Sequence, residues 1–259
     1  MTAGTLLLEA RHVTQRFRLP NGQLLEALRD VSLSVCQNEV VALVGPSGCG
    51  KSTLLRLFAG LARPADGAVL YRGQPLEGVL GAAAMVFQSF ALLPWLTVAE
   101  NVAMGLEARG VDGPARRDAV ARAVNLVGLD GFEQAYPKEL SGGMKQRVGF
   151  ARALAVAPEI MLMDEPFGAL DPLTRDALGD DYRALHARLG LTTVMITHDM
   201  TEAILLADRI AVMRAGRLLA QGTLTELSDS DDAYVCELLR TPRRQAERLN
   251  VLLPRDGAA

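Results

Sequence analysis

Long apolar runs are missing from this chain. None approaches the roughly 18 residues that a membrane helix needs, and no signal-peptide pattern opens it. A protein of this kind serves a membrane, if it serves one, from outside the bilayer. Cysteine is scarce as well. The three present, Cys36, Cys49 and Cys236, are odd in number and lack metal-type spacing, which points to a reduced, cytosolic chain. Nor is there an excess of basic charge. Lys and Arg total 27 against 30 Asp and Glu, a net charge of −3, so no nucleic acid is expected among the partners. Internal repeats and low-complexity tracts are absent. What remains is 259 residues, 49% hydrophobic and 22% charged, enough to bury a real core in one large α/β domain or one with a small appendage.

What is present is organised around Gly45-Pro46-Ser47-Gly48-Cys49-Gly50-Lys51-Ser52-Thr53. The apolar run Val40–Val44 before it reads as a buried parallel strand, and Leu54–Gly60 after it as a helix. Strand, glycine-rich turn and helix, with G-x-x-x-x-G-K-[ST] at the turn, make the context of a phosphate-binding loop. Glycines let backbone N–H groups wrap phosphate oxygens, and the helix N-terminus adds partial positive charge. Lys51 can reach the β- and γ-phosphates, and the Ser52 hydroxyl can ligate Mg²⁺. A chance match in a chain of this length is on the order of 1% at ordinary residue usage. The chain is therefore expected to bind a nucleoside triphosphate.

The opening segment is rich in strands and poor in helix. Leu6–Val13, Leu24–Leu28 and Val31–Val35 read as strands, with Asn21-Gly22 a turn between the first runs, so an antiparallel sheet is expected there. Gly67–Arg72 reads as a further strand, and Ala82–Phe87 as a buried one ending at Gln88. From Thr97 to about Ala155 the pattern turns helical. Thr97 and Glu100 form a capping-box signature. Pro114 opens a helix that runs from Ala115 to Val127 and stops at Gly128. The next helix begins near Ser141 and carries Met144, Val148, Ala151, Leu154 and Ala155 on one face. Strands and helices then alternate: Ile160–Met163, Pro172–Leu189, Thr192–Thr197, Met200–Ala207, Ile210–Met213 and Arg217–Gln221. That alternation predicts a parallel sheet with helices on its faces. A polar break, Asp229–Asp232, precedes a short helical tail carrying Arg243, Arg244 and Arg248.

Two further motifs carry chemistry. Ile160–Met163 delivers Asp164 and Glu165 to a sheet edge, where doubly wound folds bind ligands. Asp164 is suited to hold Mg²⁺ and Glu165 to polarise a water for attack on the γ-phosphorus. Alone, an Asp-Glu pair at a strand end is ordinarily a solvated turn; downstream of a phosphate-binding loop the odds reverse. Ser141-Gly142-Gly143 opens a helix and offers a second anion site by the same dipole and free N–H logic. By itself it is a plain N-cap with a flexible lead-in.

In combination, the loop, the Ser-Gly-Gly helix start and the apolar strand with Asp-Glu resemble the ATP-binding cassette family, the ATPase subunits of ABC transporters, over about Leu6 to Leu227. Gly45–Ser52 resembles the Walker A loop, Ile160–Glu165 Walker B, and Leu140–Met144 the signature motif, with Met144 where Gln is commoner. The resemblance implies a P-loop NTPase: a RecA-like parallel sheet core, an N-terminal antiparallel β subdomain, and a helical subdomain inserted at about 89–157. The cassette would span 1–228 and a short tail 229–259. It further implies that Gln88 is the Q-loop glutamine and a Mg²⁺ ligand, Asp171 the D-loop aspartate, His198 the switch histidine near the γ-phosphate, and Phe17 an aromatic against adenine. Cys49 is expected to contribute only a small side chain facing away from the nucleotide.

The same resemblance implies ATP and Mg²⁺ as ligands and a cassette dimer, homodimeric or with a paired cassette subunit, in which the signature of one copy closes over ATP on the other. It implies a transmembrane permease docked at Phe90-Ala91-Leu92-Leu93-Pro94-Trp95, an indirect solute-binding protein, and a peripheral place on the cytoplasmic face of the inner membrane. An apolar stretch with the chain's only Trp could equally be core. Separate cassettes without fused membrane spans resemble bacterial importers. Phe90–Val98 is similar to nitrate, sulfonate and taurine importer ATPases, whereas Phe167–Arg175 and Thr197–Ala203 are closer to the glycine betaine and choline group. An exporter or a non-transport cassette protein is the alternative. DNA-maintenance ATPases of the superfamily carry long coiled coils, absent here, and translation-associated ones need two cassettes. A small-molecule kinase would not need Ser141-Gly142-Gly143.

Overall fold

The computed structural model describes residues 4–252; residues 1–3 of the expected cassette and 253–259 of the expected tail lie outside them. The chain enters through β1 (Leu6–Arg18) and β2 (Leu24–Cys36), an antiparallel pair. β3 (Val40–Val44) leads into α1 (Lys51–Phe58), and β4 (Asp66–Tyr71) and β5 (Gln74–Pro75) return to the opening pair. These form an antiparallel sheet ordered β2-β1-β4-β5. β6 (Ala83–Phe87) is followed by three helices, α2 (Val98–Glu107), α3 (Gly113–Leu126) and α4 (Gly142–Ala155). Then come β7 (Ile160–Asp164), α5 (Pro172–Leu189), β8 (Thr192–Thr197), α6 (Met200–Leu206), β9 (Arg209–Arg214), β10 (Arg217–Gly222), α7 (Leu224–Ser228) and α8 (Ala233–Leu252). The second sheet is ordered β10-β9-β3-β8-β7-β6 and is parallel except for β10, which folds back antiparallel on β9.

The antiparallel opening and the parallel core follow the expectation, with differences at the joints. β2 is one strand where the sequence predicts two. Asp30 sits at φ 51 between the two runs and donates its N–H to Thr14 Oγ1 at 3.1 Å. The register with β1 shifts there and then continues to Cys36, so a bulge joins the two halves. α1 begins at Lys51, earlier than the apolar spacing from Leu54 indicates, because the phosphate-binding turn itself closes into the helix.

The central strands are buried on both faces, and their side chains alternate between two cores. Val40, Ala42 and Val44 of β3, Met161 and Met163 of β7, and Met195 of β8 face a core shared with the helices. Val41 and Leu43, Ile160 and Leu162, and Val194 and Ile196 face the other, closed by α1 and the antiparallel sheet. Phe58 and Leu54 of α1 are fully buried in the latter. This double burial fixes β3, β7 and β8 in register, and with them the turns at their C-terminal ends.

The helical stretch has legible ends. Thr97 Oγ1 accepts from Glu100 N (3.3 Å) while Glu100 Oε2 accepts from Thr97 N (2.7 Å), a complete capping box. Val102, Leu106, Val120, Val124 and Val148 pack α2, α3 and α4 into one core. At the other end Asp232 Oδ1 caps α8, accepting from Tyr234 N (2.9 Å) and Val235 N (3.1 Å). No helix among the described residues is long and apolar enough to cross a membrane.

Candidate active site

Parallel pairing brings the sequence motifs together at one edge of the sheet. Val44 lies opposite Thr197, Asp164 opposite Ile196, and Phe87 opposite Asp164. The residues that follow these strand ends are therefore neighbours: Gly45–Thr53, His198, Glu165 and Gln88. All project from the carboxyl ends of parallel strands, where such sheets bind ligands.

Glycine is required at two points of the turn by close approach. A Cβ on Gly45 would lie 2.1 Å from Met213 O, and one on Gly50, at φ +108, would lie 2.6 Å from Ala27 O. Pro46, Ser47 and Gly48 form an exposed rim, whereas Cys49 is buried in the core with its side chain turned inward. The first helical bond of α1 runs from Leu54 N to Gly50 O (3.0 Å). The N–H groups of Lys51, Ser52 and Thr53 thus have no helical acceptor and point out of the helix start. Lys51 is buried, and its ammonium donates to Gly45 O (2.7 Å) and Pro46 O (3.1 Å). A buried cation held by two loop carbonyls and, more weakly, by Cys49 Sγ (3.9 Å), with three free N–H donors beside it, is a donor set suited to a polyphosphate.

Ser52 Oγ donates to Asp164 Oδ1 at 3.2 Å, joining the turn to β7. Burial pushes the Asp164 carboxyl above its ordinary value, and neighbouring Glu165 adds to the rise while Ser52, Arg56 and Lys51 oppose it. Among the described residues no three His, Cys, Asp or Glu side chains could hold a metal by themselves. One carboxylate and one hydroxyl beside a phosphate cradle fit Mg²⁺, which commonly binds through one or two carboxylates together with substrate phosphates.

Glu165 adopts φ 49 and donates its N–H to Ile196 O (3.1 Å). Its Oε2 lies 3.3 Å from His198 Nδ1, the His being 57% exposed and the Glu 24%. Gln88 reaches the same point. A Cβ on Gly168 would lie 3.0 Å from Gln88 Nε2 and 3.6 Å from Glu165 Oε2, so the glycine leaves room for both. A second layer holds the switch segment. Thr197 Oγ1 donates to Glu202 Oε2 (2.9 Å) and accepts from Asp199 N (3.0 Å). Asp199 in turn accepts from Arg175 Nη1 (3.3 Å), whose Nη2 donates to Leu170 O (3.2 Å) beside Asp171.

The remaining predicted residues stand apart. Ser141 caps α4, accepting from Met144 N at 3.3 Å, and is exposed with Gly142. Among the described residues no hydrogen bond joins Ser141, Gly142 or Gly143 to the turn at Gly45–Thr53. Asp171 caps α5 through Thr174 N (3.0 Å), and the Thr174 hydroxyl, followed by this backbone bond, holds its carboxyl below the ordinary value. Phe17 is 41% exposed beside the turn that joins β1 to β2. Trp95 is 68% exposed, whereas Phe90 and Leu92 of the same stretch pack against the helical core, so the alternative that the stretch is core fails at Trp95 and holds at those two. Sequence reasoning missed the residues that brace these segments: Asn101 and Arg152, which bind the backbone after Gln88, and Arg175, Thr197 and Glu202 behind His198.

Residues 28–168 match the family described as ABC transporter. The chain is 40% identical over 247 residues to the taurine import ATP-binding protein TauB of Jannaschia sp., covering 95% of this chain and 92% of that one. It is 41% identical over 240 residues to the nitrate import ATP-binding protein NrtC of Synechococcus elongatus, covering 92% of this chain but only 36% of that longer protein. Among solved structures, a dimeric post-hydrolysis state of the ATP-binding cassette MJ0796 bound to ADP and Pi aligns with TM-score 0.74 at 31% identity. That alignment covers 84% of this chain and 99% of the cassette.

Proposed function

This chain belongs to the ABC transporter family and is an ATPase of the cassette type, and we propose that it powers a bacterial importer of a small oxyanion or sulfonate. The observation that carries the reading is the meeting of Gly45–Thr53, Asp164, Glu165, Gln88 and His198 at the ends of adjacent parallel strands. Of the two solute classes that the sequence leaves open, the names of the relatives, taurine and nitrate importers, favour this one over quaternary amines.

Each residue has a task that its surroundings support. The free N–H groups of Lys51–Thr53 and the Lys51 ammonium bind the phosphates of ATP and oppose charge developing on the γ-phosphoryl group. Ser52, Asp164 and Gln88 would hold Mg²⁺, which when bound neutralises phosphate charge. Glu165 accepts a proton from the attacking water, and His198, 3.3 Å from its carboxylate, fixes that carboxylate and contacts the γ-phosphate. Phe17 lies against adenine. Asp171 and the Ser141-Gly142-Gly143 start of α4 belong to the closing surface. They stay clear of their own chain's phosphate turn because they act on ATP held by a second cassette, identical or paired, in an isologous dimer. Exposed Trp95 and the Phe90–Trp95 segment dock the permease, a solute-binding protein acts on the far side, and the chain works peripherally at the cytoplasmic face of the membrane.

The test is light scattering on the Glu165→Gln variant. Glutamine keeps the size of the side chain but cannot take the proton, so this variant is expected to be monomeric alone and dimeric with ATP and Mg²⁺. Adding Ser141→Arg should abolish the dimer by placing an unpaired charge at the closing surface. Wild-type hydrolysis by Glu165→Gln refutes the role of Glu165, and a variant that holds ATP yet stays monomeric refutes the sandwich.

A further inference from the structure

The backbone just beyond Gln88 is strained. Phe90 and Ala91 sit at φ 60 and φ 48, a left-handed conformation that costs a non-glycine residue on the order of 1 kcal/mol or more. Two consecutive residues in this state need something to hold them. One side chain does so: Arg152 of α4 donates from Nη2 to Phe90 O (3.0 Å) and from Nη1 to Ala91 O (2.5 Å). α4 comes close at this point, since a Cβ on Gly149 would lie 3.8 Å from Phe90 O. Arg152 has no carboxylate partner among the described residues. Burial alone pushes its guanidinium below the ordinary value. A half-buried cation whose contacts are two carbonyls of a strained turn is placed for those carbonyls, and the planar fork suits a pair of acceptors.

The two ends of this link are informative. Upstream, Gln88 lies beside Glu165 at the catalytic edge. Downstream, Asn101 binds Leu93 and Leu96 and so holds the segment that presents Trp95. On the other side α4 runs back from Arg152 to Gly142, ten residues or about 15 Å along a rigid helix. We propose that Arg152 is a positioning residue that locks the Gln88–Trp95 segment to the signature helix, so that the two move as one body when nucleotide is bound. The inference rests on the reading of Gly45–Thr53 and Ser141–Gly143 as the two phosphate-binding elements.

The experiment is hydrogen exchange on the full chain with and without a non-hydrolysable ATP analogue and Mg²⁺, for wild type, Arg152→Gln and Arg152→Lys. In wild type the analogue should slow exchange at the phosphate turn, at the start of α4 and across residues 89–97, the last by about tenfold. In Arg152→Gln slowing at the turn and at α4 should persist, while at 89–97 it falls below about twofold. If Arg152→Gln fails to fold, Arg152→Lys decides, because lysine keeps charge and stem but is a single point donor that cannot span both carbonyls. A merely structural arginine would raise exchange at 89–97 equally with and without the analogue; an unchanged ratio overturns the proposal. If the phosphate turn is not slowed in wild type, the nucleotide reading itself fails and takes the inference with it. That failure is separable because it precedes any substitution.

Discussion

Removing Asn101 tests whether the segment that carries Trp95 is held by this one side chain. Asn101 is fully buried. Its Nδ2 donates to Leu93 O (3.2 Å), Leu96 O (3.0 Å) and Thr97 O (2.9 Å), and its Oδ1 accepts from Leu93 N (2.8 Å). Two amide protons shared among three carbonyls, plus one accepted bond, amount to about three net hydrogen bonds, each worth roughly 1 kcal/mol. Asn101→Ala strands those groups, and water reaching the half-exposed turn recovers part of the loss, leaving about 2–3 kcal/mol. For a chain of this size each kcal/mol lowers Tm by about 2–4 °C, so a fall of about 4–12 °C is expected. Asn101→Asp should be worse at neutral pH, since a buried carboxylate would face carbonyl oxygens. The assay is a melting curve paired with ATP hydrolysis by the same preparation well below the transition. Hydrolysis by the isolated chain should survive, because Asn101 shares no hydrogen bond with the catalytic edge. A Tm shift under about 1 °C refutes the magnitude, and lost hydrolysis at unchanged Tm refutes the assignment of Asn101 to the segment alone.

Trp95→Ala should leave the melting curve within about 0.5 kcal/mol of wild type, because the ring is largely exposed, while co-purification with the permease is lost; normal assembly with a lowered Tm would return Trp95 to the core. The Glu202 carboxyl is pushed up to about 7 by burial, with Asp199 and Glu165 adding to the rise and Thr197 and Arg175 opposing it. A folded-state value above the unfolded one means that the native chain holds the extra proton, so this contribution is complete at acid pH and is lost as pH rises towards and through 7. Glu202→Gln, neutral throughout, should therefore gain on wild type in denaturant unfolding as pH goes from 5 to 8, by up to a few kcal/mol. Parallel pH profiles for the two proteins would refute the assignment.

Much of the fold was legible because its signals are local. Val40–Val44 and Ile160–Met163 are short apolar runs ending in turn or charged residues, Thr192–Thr197 is rich in β-branched residues, and buried parallel strands have that appearance from either face. Thr97 with Glu100 marks a helix start through groups three residues apart, and Pro114 and Gly128 each mark one end of α3 by their own backbone preference. The joints were less legible. Asp30 looks like a break between two strands, since a polar residue interrupts the apolar pattern, and only pairing with Thr14 across the sheet turns that break into a bulge. The start of α1 was hidden for the opposite reason: Lys51, Ser52 and Thr53 are polar and follow directly on Gly50, so they resemble the loop although the helix has begun.

The site divides along the same line. Lys51, Ser52, Asp164 and Glu165 could be named because their chemistry is written in contiguous stretches whose strand ends the register then aligns. Arg152 and Asn101 could not, because their main partners are backbone carbonyls of Phe90, Ala91, Leu93 and Leu96, which carry no residue signature, and Arg175 bridges Asp199 and Leu170 O across segments distant in sequence. An arginine on a helix reads as a solvated face until the turn that it grips is in place. This bears on how the molecule works. Groups that touch phosphate are specified by type and spacing. Groups that tie the phosphate edge to the exposed Trp95 segment are specified by where two elements of the chain meet. A substitution at one of the latter can leave every phosphate contact intact and still separate hydrolysis from the movement it drives.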